Sequence, residues 1–192
     1  MYGTKFLTPE EFNQDFFDGY LTGNQHPGGY WRYDEAYNDL VWSSIANIIL
    51  RECPEVQSIL EIGCASGKLI KQFTNRDIFA LGIEISPYIV GKAEEEIKPH
   101  LIMGDIRKDL AQFSDKRFDV VVSHMTLTYL SETDIEKLIP ELNRISKKQV
   151  HLIQEAPDTR FNISHPIEWW GKLPFENTVL IGEENNSNVA KT

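Results

Sequence analysis

The residues with the clearest chemical potential lie within 58–84. Glu61 precedes Gly63 by two positions, Gly67 follows four residues after Gly63, and Glu84 closes a second apolar run. Ser58-Ile59-Leu60-Glu61-Ile62 and Ile78-Phe79-Ala80-Leu81-Gly82-Ile83-Glu84 read as short buried strands, of the kind found in parallel sheets covered on both faces. Gly63 would let the chain turn sharply at the strand end. Gly67 would let a ligand or a strand come close to the start of the following helix, whose first N–H groups are open to a bound group. A carboxylate about 20 residues beyond such a glycine turn can accept hydrogen bonds from the vicinal hydroxyls of a ribose, and Glu84 is placed to do so.

The dinucleotide fingerprint G-x-G-x-x-G is not satisfied, because its second and third glycines would fall on Ala65 and Lys68. The pattern Glu61-x-Gly63-x-x-x-Gly67 instead resembles motif I of the class I S-adenosylmethionine methyltransferases. Their cofactor has an amino-acid end, a sulfonium and an adenosine, with no pyrophosphate to cradle. The competing reading of the motif alone is a plain βαβ unit with a glycine turn.

Later segments extend the resemblance in the same order. Ile85 and Ser86 follow the ribose acid directly. Asp105 follows the third strand, where the family places an acid near the adenine amino group, and Ile106 would offer its N–H and an apolar face to the ring. Without the resemblance, Asp105 is a turn acid after glycine. Residues 118–130 resemble the fourth motif, in which a Phe-Asp strand leads to a loop and a short helix. The chain departs from it with Tyr129 where the family often has histidine, and with His124 where a small or acidic residue is usual. The resemblance covers about residues 37–156. It implies cofactor contacts from the turn 63–67, including Cys64 and Ala65, from the two strand-end acids, and from Ile85, Asp105, Ile106 and Ser123.

The elements that must carry these residues can be read from periodicity and caps. Thr8-Pro9 opens a helix, and Phe12, Phe16 and Phe17 give it an apolar face. Residues 19–29 form a loop leading into Gly28-Gly29-Tyr30-Trp31-Arg32-Tyr33. Either this is a flap in which Tyr30 or Tyr33 supplies a hydroxyl to the cofactor, or it is an aromatic cluster packed on the core. The next helix, 34–52, carries an apolar stripe of Tyr37, Leu40, Val41, Ile45, Ile48 and Ile49, which packs on the sheet without chemistry of its own. Ser86-Pro87 and Ser131 open two further helices, the second running to 146 with a kink at Pro140. Strands are expected at 100–103, 118–124 and 149–154.

The expected fold is α/β, a doubly wound, Rossmann-like, mostly parallel sheet of order 3-2-1-4-5 with a short or incomplete antiparallel C-terminal edge. The whole chain is read as one domain: a cofactor-covering segment at 1–36, a cofactor-binding core at 37–156 and a substrate-side segment at 157–192. A short helix at 163–172 and one strand at 177–182 fit this last segment, and a second closing strand does not. The unpaired edge this leaves invites association, so a homodimer is an expectation.

Composition narrows the function further. The chain has 19 basic and 29 acidic residues, for a net charge of -10, and no basic stripe, which argues against nucleic acid as partner. Two cysteines without metal-ligand spacing suit a reduced, cytoplasmic setting. No metal is expected, and no apolar run is long enough for a bilayer. The turn Gly63-Cys64-Ala65-Ser66-Gly67, the Gly-Gly-Tyr segment and His165-Pro166-Ile167-Glu168-Trp169-Trp170 resemble bacterial methyltransferases found with polysaccharide-assembly enzymes. That implies a sugar or another small polar metabolite as acceptor. In-line methyl displacement depends mainly on alignment, worth roughly 7–11 kcal/mol in favourable cases. An oxygen acceptor that must lose a proton also needs a base. His124, at a strand's carboxyl end, is the leading candidate, against the reading that it only packs on the cofactor. His165, Glu155, Asp158 and Tyr129 stand in reserve. Two other functions compete with methyl transfer: a non-catalytic adenosyl-binding scaffold, and a dinucleotide-dependent oxidoreductase, against which Ala65 and Lys68 argue.

Overall fold

Seven strands form one sheet in the order β3-β2-β1-β4-β5-β6-β7. The computed structural model describes residues 7–17, 35–153, 163, 165–182 and 188–191. The strands are β1 (Ser58–Ile62), β2 (Phe79–Glu84), β3 (Leu101–Met103), β4 (Phe118–His124), β5 (Ser146–Ile153), β6 (Thr178–Gly182) and β7 (Asn188–Lys191). β1 to β6 are mutually parallel and β7 runs antiparallel to β6. The α/β, Rossmann-like sheet with an antiparallel edge is thus as expected. The order reverses between β1 and β4, and ligands collect outside the strand ends at such a point.

Two apolar layers sandwich the sheet. On one face Leu60, Ile62, Val121 and Ile153 pack against α5 (Glu132–Ile145), through Ile135, Leu138, Ile139 and Leu142, and against Trp170 of α6 (Ile167–Trp170). On the other face Ile59, Val120, Val122 and Val150 meet α2 (Glu35–Glu52) and α3 (Lys68–Thr74). Two shorter helices, α1 (Gln14–Phe17) and α4 (Pro87–Val90), complete the set. Ser131 Oγ accepts from Asp134 N–H at 3.1 Å and Ser86 Oγ accepts from Ile89 N–H at 3.4 Å, so both expected serine caps form.

Four details differ from the sequence expectation. The apolar stripe of α2 is rotated: Leu40 is 67% exposed, while Ile45, Ala46 and Ile49 are buried, with Trp42 packed beside them. The α5 helix passes straight into β5, so that strand begins at Ser146 rather than 149. Its lysines fit because each has an acceptor outside the core: Lys147 Nζ meets Asp119 Oδ1 at 2.7 Å, and Lys148 Nζ meets the Glu52 carbonyl at the end of α2 at 2.8 Å. A second closing strand does exist, as β7. Its residues are too polar for an apolar run, and it pairs through its backbone with Thr178–Gly182. Finally, the Phe-Asp pair at the start of β4 is structural. Asp119 Oδ2 accepts from Gln57 N–H, Ser58 N–H and Ser58 Oγ at 2.9–3.0 Å, joining the entry of β1 to β4.

These partners, Lys147 first and then the Gln57 N–H and the Ser58 hydroxyl, outweigh burial and hold the Asp119 carboxyl down at about 2. A depressed carboxylate stabilises the fold above its unfolded value of about 3.9, and that contribution disappears as pH falls toward the folded value. Asp119→Asn is expected to cost about 1–2 kcal/mol at pH 7. It should also flatten the loss of stability between about pH 4 and pH 2. Chemical denaturation across that range checks both.

Candidate functional site

A cavity opens at the carboxyl ends of β1, β2 and β4. It is lined by Glu61, the turn 63–66, Glu84, Ile85, residues 104–107 and His124, with the aromatic side chains of Phe12, Phe16, Trp42 and Tyr129 on its wall. The turn that closes β1 has three residues in the left-handed region: Gly63 at φ +68°, Ala65 at φ +48° and Gly67 at φ +75°. Gly63 is required twice over, because a Cβ there would also fall 2.3 Å from Thr126 Oγ1. That hydroxyl donates to the Ile62 carbonyl at 2.9 Å, linking the segment after β4 to the end of β1. A Cβ on Gly67 would meet Ile97 at 2.7 Å and Leu101 at 2.9 Å. This glycine therefore makes room for protein side chains.

The N–H groups of the turn are mostly committed inside the protein. Those of Gly63 and Cys64 donate to the Ile83 carbonyl, and that of Ala65 donates to Glu84 Oε2 at 2.9 Å. Glu84 Oε1 takes the Ser86 N–H at 2.9 Å. Both strand-end acids are buried, Glu61 2% and Glu84 6% exposed. They differ in satisfaction: Glu84 is braced by backbone donors, whereas Glu61 Oε2 has no hydrogen-bond partner among the described residues. Burial first, and then the charge of Glu84, push the Glu61 carboxyl up to about 8. Burial also raises Glu84, with the N–H groups of Ser86, Ala65 and Ile85 working against it. Ser66 Oγ, in the turn itself, is a second buried atom without a partner on this cavity wall. Orphaned buried polar atoms are costly and call for an explanation. A ligand with an ammonium and a carboxylate would satisfy both, so the residues fit an adenosyl amino acid.

Of the other expected contacts, Ile85, Asp105 and Ile106 lie on the cavity wall. Asp105 is gripped by Arg107, whose Nε and Nη2 each donate at 2.8 Å. Burial would raise its carboxyl, but the guanidinium and the Arg107 N–H outweigh it and hold it low. His124 is on the wall, its ring edge-on to Trp42 at 5.2 Å. Ser123 is not: its side chain leaves the opposite face of β4, and its Oγ pairs with His151 Nδ1 at 2.8 Å. His151 Nε2 faces Gln149 Oε1 at 3.1 Å, so the ring bears its proton on Nε2 and accepts from Ser123. Burial pushes this histidine down to about 3, and it remains neutral. Among the reserve bases, His165 is engaged by Glu132 Oε1 at 2.8 Å and stacks on Trp169 at 3.8 Å, away from the cavity wall. Tyr129 stands edge-on to Phe12 and Phe16. Tyr30, Tyr33, Glu155 and Asp158 lie outside the described residues.

Trp42, Ser66, Arg107 and Thr126 join the site without having been expected there. Trp42 was legible in principle, since it shares a helical stripe with Ile45 and Ile49. Ser66 sits within the glycine turn. Nothing local marks Thr126, whose role depends on the pairing of β1 with β4.

Comparison with known proteins follows this geometry. Residues 60–153 match the family described as a methyltransferase domain. A search of curated proteins finds no significant match. Among solved structures the chain is similar to a SAM dependent methyltransferase from Archaeoglobus fulgidus, with 18% identity, a TM-score of 0.51 and coverage of 58% of this chain and 49% of that one. It is also similar to the PH0226 protein from Pyrococcus horikoshii OT3, with 21% identity, a TM-score of 0.51 and coverage of 60% and 52%. The N-terminal domain of EvdMO1 with SAH bound gives 22% identity, a TM-score of 0.51 and coverage of 57% and 48%. The chain thus spans about half the length of these structures, and at such identities the likeness is one of fold.

Gly63→Ala is expected to combine an unfavourable backbone with a collision at Thr126, costing about 2 kcal/mol or more. Thermal unfolding compared with Gly91→Ala, at an ordinary helical φ of -61°, checks this. A similar loss at both positions would refute the special role of the turn.

Proposed function

We infer, from the match of residues 60–153 to a methyltransferase domain family, that this chain is a class I S-adenosylmethionine-dependent methyltransferase that transfers a methyl group to an oxygen of a small polar acceptor, a sugar or glycan precursor in the first instance. One observation carries the reading. Two carboxyl groups buried at the ends of adjacent parallel strands face a single cavity, and one of them keeps an unpartnered oxygen. The cofactor supplies a methyl group on a positively charged sulfur.

The protein's own contribution is binding, orientation and handling of one proton. Glu84, fixed by the Ala65 and Ser86 N–H groups, has lone pairs left for the ribose hydroxyls. Glu61 Oε2 receives the amino group. Ile106 offers an apolar face to the adenine, while Asp105 presents what its ion pair with Arg107 leaves free. His124 is assigned as the base that takes the acceptor's proton, because it lies on the cavity wall at the carboxyl end of β4. The ring of Trp42 lies edge-on beside it. A pyranose has both hydroxyls and apolar C–H faces. Phe12, Phe16 and Tyr129 beside Ser131 and Asp134 suit both kinds of surface. A cytoplasmic setting is consistent with Cys53 and Cys64, which are both buried and unpaired. Among the described residues no helix is long and apolar enough to cross a membrane.

Glu84→Gln is expected to weaken binding of S-adenosylhomocysteine about tenfold or more, since it replaces with a donor one of the two acceptor oxygens that hold the Ala65 and Ser86 N–H groups and face the ribose hydroxyls. Calorimetry at pH 7.5 measures it, and unchanged affinity would mean the ribose is held elsewhere. His124→Ala should keep cofactor affinity within about twofold while turnover falls at least tenfold, in keeping with the usual size of general-base contributions. Turnover equal to wild type would remove His124 as base.

A further inference from the structure

We propose that Glu61 stays protonated until an ammonium group settles beside it, so that the cradle takes up an adenosyl amino acid with release of one proton and thereby distinguishes it, pH-dependently, from adenosyl ligands that lack an amino group. The proposal rests on the cofactor reading above and deepens it, turning Glu61 from a contact into a determinant of specificity.

The surroundings of Glu61 argue for it. Its carboxyl is 2% exposed and its Oε2 lacks a partner. From β2, Glu84 faces it with a like charge. From the turn, the Cys64 thiol is buried and held neutral, burial raising it first and the two glutamates after. Two cations line the cavity among the described residues, and each already serves another carboxylate. Lys68 Nζ of α3 binds Glu94 Oε1 at 2.8 Å, and Arg107, after β3, binds Asp105 at 2.8 Å. His124 stands at the end of β4, and α2 contributes the apolar Trp42. Among the described residues no cation pairs with this buried carboxyl, and a buried carboxylate without a partner favours its neutral acid. The shift of this carboxyl to about 8 agrees. Glu84 escapes the same fate in part, because backbone donors hold both its oxygens.

An incoming ammonium reverses the balance. The O–H bond of Glu61 breaks, its electron pair stays on the carboxylate, the proton goes to solvent, and the carboxylate pairs with the ammonium. No bond of the ligand is broken. If the amine gives up the proton instead, the pair still binds with one proton fewer, so the proton count is independent of where the remaining proton sits.

Calorimetric titration of the intact chain at pH 7 with S-adenosylhomocysteine, in phosphate and in Tris, counts the protons released. The expected result is close to one, with affinity rising about tenfold per pH unit between pH 6 and 7.5. 5′-Methylthioadenosine, which keeps the adenosine and thioether but lacks the amino acid, should bind with no release and no pH slope. Glu61→Gln should bind S-adenosylhomocysteine with release near zero and a flat profile. Should that variant not fold, the wild-type comparison of the two ligands decides alone. Binding of S-adenosylhomocysteine with less than about 0.2 proton released overturns the proposal and leaves the cofactor reading standing. Binding of neither ligand removes both.

Discussion

The structure turns on the cost of keeping negative charge out of water. Parallel β1 and β2 end side by side, with Glu61 opposite Gly82 and Ile62 opposite Ile83 in register. The Glu61 and Glu84 carboxyls are thereby buried against one cavity. Backbone donors relieve Glu84 and leave Glu61 with an oxygen unmet. Acids left in that condition are kept where a ligand completes them, and that asymmetry gives the cavity its chemical direction.

Much of this is legible in the amino-acid sequence. Short apolar runs, serine caps and the spacing from Gly63 to Glu84 define strands, helices and the strand-end acids, because each depends on local chain stereochemistry. The failures have equally physical causes. Ser123 and His124 are adjacent in one strand, so their side chains leave opposite faces. Only His124 reaches the cavity, while Ser123 enters a buried network with His151 and Gln149. Asp119 belongs to the Phe-Asp pattern of the fourth motif, yet it is occupied in joining β1 to β4. Lys147, Lys148 and the polar Asn188–Lys191 segment hid strand structure, since their backbone pairing owes little to side-chain hydropathy.

The wall of the cavity shows how a short segment can depend on remote elements. Phe12 and Phe16 meet Tyr129 edge-on, and Phe17 lies against Tyr88. The N-terminal segment is thereby anchored to the helical segments following both β2 and β4. Each contact is modest, worth about 0.5–1.5 kcal/mol beyond area burial. Together they position an aromatic surface over strand ends that are otherwise lined with carboxyls.

Thr126 has a consequence of another kind. Its hydroxyl binds the last carbonyl of β1 while its side chain occupies the space above Gly63. The segment after β4 is therefore tied to the end of β1 just beyond the last paired residues of the two strands. For the proposed in-line transfer, which tolerates little sideways error, this bond sets the spacing of the two strand ends through the fold itself.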